Sequence, residues 1–298
     1  MTGGNCIACD KVVPQPRRGM VAPFLARRVW NRPAFPASLA KCASCGCAFF
    51  SPRFEPSEAE RLYHNYRDEE YQQLRFHFEP WYTEELNRHL IHDPAVLSLR
   101  RHEITQVVGQ WTDPKSIRNI LDFGGDKGQL IQTLLQGDKW VYDISGVQPL
   151  EGVHPLLHLD ERSADGYDLI LCSHVLEHVS SPAAILQGIR GLCGRDSLFL
   201  LEVPAESPFS VSSIAKRIVQ YIILCATRWS SARELLDPAL IYVMHEHVNF
   251  FSRPSLEVLL TRTGFDLLAS GSYVLPITKW FRPRTFWCIA KPLAEAHE

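Results

Sequence analysis

The stretch ILDFGGDKGQL, residues 120–130, decides how the chain is read. Ile120, Leu121 and Phe123 suit a buried strand. Gly124, Gly125, Asp126, Lys127 and Gly128 then break the pattern, and Leu130, Ile131, Leu134 and Leu135 resume it at helical spacing. Strand, glycine loop and helix in that order open a nucleotide-binding βαβ unit. Glycine lets backbone approach a ligand closely because no Cβ intervenes. Asp122 adds a carboxylate beside the loop. A second apolar strand, Trp140-Val141-Tyr142, ends at Asp143. An acid at the carboxyl end of the second strand can hold both hydroxyls of a ribose.

Composition sets outer bounds. The 298 residues, 46% of them apolar, allow one large domain or two modest ones with a sizeable core. A formal net charge of −2 argues against nucleic-acid binding by bulk charge. The N-terminus, MTGGNCIACD, carries no apolar signal segment, and no run approaches the ~18 residues of a membrane span. The expectation is a cytoplasmic protein, with contact at the inner face of the membrane as an added option. Nine cysteines in such a protein argue for metal or reduced thiols rather than disulfides.

Residues 1–56 are rich in cysteine, proline and arginine. Cys6-x-x-Cys9 and Cys42-x-x-Cys45 form two knuckles that fit a closed, structural Cys₄ zinc site, with Cys47 a spare or a substitute for Cys45. Residues 57–114 read as a helical linker or cap carrying many aromatics. Its tyrosines and His77 are placed to touch an acceptor in the cap reading, and to pack on the main domain in the plainer one. Ala95 to Trp111 reads as a helix lying on the sheet.

From residue 115 to 298 the pattern alternates. Strands are expected at 118–123, 139–143, 156–159, 167–173, 197–203 and from 265, with a last strand at 285–290. Helix A is expected at 128–136. This predicts an α/β fold with a doubly wound, Rossmann-like, seven-stranded sheet behind a small zinc-binding module. An insert at about 205–238 contains SIAKRIVQYIILCATRW, apolar with basic ends. It reads first as a buried lid helix, second as an interfacial helix meeting membrane or a lipid-linked substrate through about 211–229, and third as a dimer contact.

The loop D-x-G-G-x-x-G resembles motif I of class I S-adenosylmethionine-dependent methyltransferases, with Asp126 where that family usually has its middle glycine. YDLILCSHVLEHVSSP, 167–182, is similar to the segment after strand four of the same class. The resemblance implies S-adenosylmethionine as cofactor, bound by Asp122, Gly124, Gly125, Gly128 and Asp143. Asp160 would accept from the adenine amino group, and Ser173 and His174 would lie close by. Glu177 and His178 are read as helix-entry hydrogen-bonders ahead of active-site groups.

HEHVNFFS, 245–252, is similar to a segment of bacterial sugar methyltransferases, including the deoxysugar C-methyltransferases, which also carry a cysteine-rich zinc module. In them the Glu-His pair lies at the acceptor site, which maps onto Glu246 and His247. Met244 replaces a tyrosine that often precedes the segment, and the sequence ends before the further C-terminal domain of those enzymes. Both departures weigh against C-methylation and leave O-methylation. The implied function is methyl transfer to a sugar or glycan acceptor in cell-envelope polysaccharide or secondary-metabolite biosynthesis, with no nucleic-acid partner. His247 is the expected base, oriented by Glu246, with His245 beside them. In the plainer reading these side chains pin the following helix. H-E-H is not H-E-x-x-H, so a catalytic metal is not expected. The competing class is a non-catalytic, zinc-containing binding protein on a degenerate methyltransferase scaffold, favoured by Asp126. An NAD-dependent sugar enzyme ranks third, since G-x-G-x-x-G is absent.

Overall fold

The computed structural model describes residues 4–85, 93–159, 166–235, 241–275 and 283–293. The larger sheet has seven strands: β4 (Asn119–Phe123), β5 (Asp138–Tyr142), β6 (His154–Pro155), β7 (Tyr167–Ser173), β8 (Cys193–Pro204), β11 (Phe265–Val274) and β12 (Arg284–Pro292). Their order is β11-β12-β8-β7-β4-β5-β6. The strands from β6 to β8 run parallel, and β12 enters antiparallel between β8 and β11. This is the doubly wound, Rossmann-like sheet with its terminal antiparallel pair.

Alternation in the strands fills two cores. Leu121, Phe123, Ile170, Cys172, Phe199, Leu201 and Val203 face one side, packed with α5 (Pro182–Leu192) and α8 (Arg253–Arg262). Ile120, Leu169, Leu171, Leu198 and Leu200 face the other, against Ile104, Val107 and Val108 of α4 (Pro94–Val108). A parallel sheet covered on both faces needs such continuous apolar runs. Ser252 caps α8 by accepting from the Ser255 amide, as its position predicts.

Two expected elements differ. Residues 128–136 form a succession of turns, not helix A. Gly128 and Gly137 at the two ends hold φ of +74° and +105°, outside the helical region. Arg101 of α4 donates to the carbonyls of Gln129 and Leu130, which would otherwise point along a helix. The third strand is His154–Pro155, two residues before the expected start at Leu156. Leu156 is buried and only its amide still bonds to Val141.

The N-terminal residues build β1 (Arg17–Val21), α1 (Pro23–Trp30), β2 (Pro36–Lys41) and β3 (Ala48–Ser51). Their sheet is completed from far along the chain, in the order β10-β3-β2-β1-β9, by β9 (Val243–Met244) and β10 (Asn249–Phe250). Residues 1–56 therefore do not close a sheet alone. The HEH segment links the two outer strands. Helices α2 (Pro56–Tyr63) and α3 (Glu69–Phe78) follow the module, and α6 (Val211–Thr227) and α7 (Trp229–Arg233) form the insert. No helix among the described residues is long and apolar enough to cross a membrane.

Candidate active site

The glycine loop sits at the carboxyl end of β4 and is pinned to β5. Asp143 accepts from the Asp126 amide through Oδ2 (2.8 Å) and from the Ser145 amide through Oδ1 (2.8 Å). Each carboxylate oxygen retains a lone pair for a ligand. Ser145 Oγ, buried, has no hydrogen-bond partner among the described residues. Asp126 adopts φ +54°, the left-handed conformation that explains the usual glycine there. Aspartate tolerates it, and its carboxylate accepts from Gln129 Nε2 at 2.9 Å. The departure from motif I thus preserves the loop. At Gly125 a Cβ would meet Asp122 Cγ at 2.4 Å, so the buried carboxyl and a side chain cannot share that space. Burial pushes Asp122 up to about 7, although Arg100 opposes the rise.

Arg100, on α4, is a functional candidate that sequence reading missed. Its Nη2 donates to Ser173 Oγ (2.5 Å) and to Glu202 Oε2 (3.1 Å), and Ser173 and Tyr273 hydroxyls donate to Glu202. Burial alone would raise Glu202, but Arg100 leads the groups that hold it below the usual carboxylate range. The available signal was Glu202 itself, a charge inside the apolar run LFLLEVP, since such residues are almost never buried unpaired. Ser173 therefore braces this network at the end of β7. His174 follows at φ +58°, its amide bonded to the Glu202 carbonyl (2.9 Å). Asp160, the expected adenine contact, lies outside the described residues.

The two signature segments LEH and HEHVN, some seventy positions apart, are stitched together. Val248 and Asn249 amides donate to the Glu177 carbonyl (2.8 and 3.0 Å), Asn249 Nδ2 donates to the Leu176 carbonyl (2.7 Å), and His178 Nδ1 donates to the Glu246 carbonyl (3.2 Å). The histidines then separate by environment. His245 donates to Glu79 (2.6 Å) and accepts from Arg217 (2.5 Å), and burial holds it neutral at about 4. Glu246 does not orient His247. It is buried and accepts from Tyr71 OH and from Arg75 (2.6 Å). His247 instead donates its Nδ1 proton to Glu206 (2.9 Å), a residue that no local pattern marks. Burial would lower His247, but Glu206 more than offsets this and raises it to about 9. Glu206 itself is held at about 2, chiefly by His247 against its own desolvation.

With Nδ1 committed to Glu206, Nε2 of His247 is the nitrogen with no hydrogen bond among the described residues, and so the one left to meet a ligand. Its ring meets that of His178 edge to face at 4.8 Å. Glu177 lies beside them, 1% exposed, with neither carboxylate oxygen hydrogen-bonded among the described residues. His174 Nδ1 stands 3.2 Å from Oε1 but off the line of a hydrogen bond. Tyr63, whose ring packs on His178, presents a buried hydroxyl that is likewise unpaired. Buried polar atoms without partners are rare and mark places where something else binds.

A family model described as a methyltransferase domain matches residues 82–270. The chain belongs to this methyltransferase family. No curated protein matches the sequence. Among solved structures, the methyltransferase is similar to the Burkholderia thailandensis 1,6-didemethyltoxoflavin-N1-methyltransferase with bound 1,6-didemethyltoxoflavin and S-adenosylhomocysteine. The two are 15% identical over 87% of this chain and 96% of that one, with TM-score 0.49. It is also similar to the magnesium protoporphyrin IX methyltransferase of Synechocystis with bound S-adenosylhomocysteine, 14% identical over 73% and 98% of the chains, with TM-score 0.42. At these scores the likenesses carry no argument about what this methyltransferase binds.

The two cysteine knuckles of the methyltransferase converge. One sulfur from each of Cys6, Cys9, Cys42 and Cys45 lies within 4.8 Å of the others. The Cys6–Cys45 and Cys9–Cys42 sulfurs are 3.5 Å apart, far beyond a disulfide bond and close to the edge, about 3.8 Å, of a tetrahedron around zinc. Cys47 is buried outside this group of four, 3.9 Å from the Ala48 carbonyl. The Cys45 carbonyl accepts from Ser252 Oγ (2.6 Å), which ties the knuckles to α8.

Proposed function

We propose that this methyltransferase moves a methyl group from S-adenosylmethionine to a hydroxyl of a sugar or glycan acceptor, with zinc held structurally by Cys6, Cys9, Cys42 and Cys45. When bound, the cofactor supplies an electrophilic methyl carbon on a sulfonium. The crevice fits it: Asp143 has lone pairs free for ribose hydroxyls, and the buried Ser145 Oγ lacks a partner among the described residues. Asp122, Gly128, Ser173 and His174 complete the surround, the last two at the carboxyl end of β7, where such folds take ligands.

The observation that carries the acceptor reading is the His247–Glu206 pair beside the buried Glu177 carboxylate, which has His174 Nδ1 at 3.2 Å but no aligned hydrogen bond among the described residues. Glu177 and Tyr63 have hydrogen-bonding capacity for hydroxyl groups, and a sugar offers several. Nε2 of His247 would take the proton of the acceptor hydroxyl as that oxygen is methylated. Glu206 fixes the tautomer and steadies the imidazolium. Glu246 and His245 act at one remove, by holding the segment against α3 and α6. Most of the rate comes from positioning the oxygen against the methyl group.

The binding-protein alternative rested on Asp126, and the loop keeps its shape with aspartate there. One experiment tests the assignment: incubation with labelled cofactor and a panel of cell-envelope sugar precursors, followed by mass measurement of products. A mass gain of one methyl group on a sugar supports it. A thermal upshift with the cofactor but methylation only of non-sugar acceptors would retain the methyltransferase and discard the acceptor class.

A further inference from the structure

Helix α6 has an inner and an outer face of opposite character. Inward, Gln220 and Leu224 are buried, and Arg217 donates to His245. Outward, Val211 (85% exposed), Ile218 (46%), Val219 (55%) and Ile222 (60%) form a stripe with exposed Ala215 and Ala226. Trp229, the first residue of the following helix, is 56% exposed. The spacing 211, 215, 218, 222, 226 keeps the α6 residues on one side. This is not the buried lid helix that the sequence suggested first.

Cations predominate along the segment. From Ser207 to Arg233 the sequence has no acidic residue, against Lys216, Arg228 and Arg233 besides the inward Arg217, and Glu206 and Glu234 bound the segment on either side. At the amino end, exposed Arg17 and Lys41 both lie over the Phe209 ring, at 5.1 and 5.3 Å. A twofold contact between two copies would bring these basic rims together, which like-charge repulsion disfavours. An apolar stripe rimmed by cations, with a half-exposed tryptophan at its end, matches the interface of a bilayer with anionic headgroups.

We propose that the outer face of α6 docks the protein on an anionic membrane surface. The apolar stripe enters the headgroup boundary, and the basic rim meets lipid phosphates. The inner face of that helix touches His245, two positions from His247, so docking sets the acceptor site at the bilayer surface, where a lipid-carried glycan would present its sugar. That consequence rests on the proposed acceptor class; the docking does not.

Sedimentation of the full chain with vesicles, without cofactor or acceptor, separates the two claims. The native protein should pellet with vesicles of phosphatidylcholine containing about one-third phosphatidylglycerol, pellet less with phosphatidylcholine alone, and be weakened by salt. Ile218→Glu/Ile222→Glu, at exposed positions, should lower partitioning by about tenfold or more with unchanged circular dichroism. Native protein left in the supernatant with both compositions overturns the proposal. So does undiminished binding by the double variant, or light scattering that shows a dimer which the variant splits, since the face would then join two copies. Docking without sugar methylation would leave the membrane inference standing and defeat only the acceptor class.

Discussion

Glu206→Gln is the most direct probe of the acceptor site. In the native protein Glu206 raises His247 from 6.5 to about 9. A protonated imidazole cannot receive the acceptor's proton, so kcat/KM should follow the neutral fraction, about one part in a hundred at pH 7. The sign follows: a raised pKa shifts the acidic limb upward, and activity climbs about tenfold per pH unit until it levels near pH 9. Glutamine can still accept the hydrogen bond from Nδ1 but carries no charge, so the variant loses the main attraction that opposes burial. Its limb should move down toward 6.5, with Glu177 and Glu246 still favouring the charged ring. The His247 and Glu206 side chains are 34% and 46% exposed, so water screens part of their attraction. The whole distance back to 6.5 is therefore an upper limit, and at least about one pH unit is the expected displacement. Release of S-adenosylhomocysteine, followed from about pH 6 to about pH 10, reads this directly. A folded variant whose limb stays where the native one lies would remove the His247–Glu206 pair from the proton's path.

His247→Ala should cut turnover at least about a hundredfold at its pH optimum while leaving cofactor affinity unchanged by calorimetry. Asp143→Ala should weaken cofactor binding by about a hundredfold, from two lost charge-assisted hydrogen bonds; equal affinity in titration would undo the ribose assignment. Chelation, or Cys42→Ser, should remove one zinc per chain by elemental analysis and lower Tm by at least about 5 °C. Arg100→Met leaves Glu202 buried without its cation and should cost about 3 kcal/mol in denaturant titration; a loss under about 1 kcal/mol would show that Tyr273 and Ser173 suffice.

The seven-stranded sheet was legible because its strands are long apolar runs, YDLILCS above all, bounded by glycine turns. Helix A was misread because its side chains keep helical spacing while Gly128, Gly137 and Arg101 direct the backbone elsewhere. The shared sheet could not be read at all. Val243–Met244 and Asn249–Phe250 are two residues each, too short for alternation to register. The site was legible in part. Gly124, Gly125, Asp143 and His247 stand out by residue type and by their place after strands or in the HEH segment. Glu206, Arg100 and Tyr63 are brought in only by folding, and no local pattern distinguishes an orienting carboxylate from any other glutamate.

The shared five-stranded sheet also bears on how the protein can be dissected. Cutting away the thiolate-bearing segment would not release a minimal catalytic fragment. It would strip β9 and β10 of their neighbours and leave raw ladder edges on either side of His245, Glu246 and His247. The first fifty residues thus supply the sheet neighbours of the two strands that flank His245, Glu246 and His247, so a disturbance of the cysteine knuckles should register at those histidines.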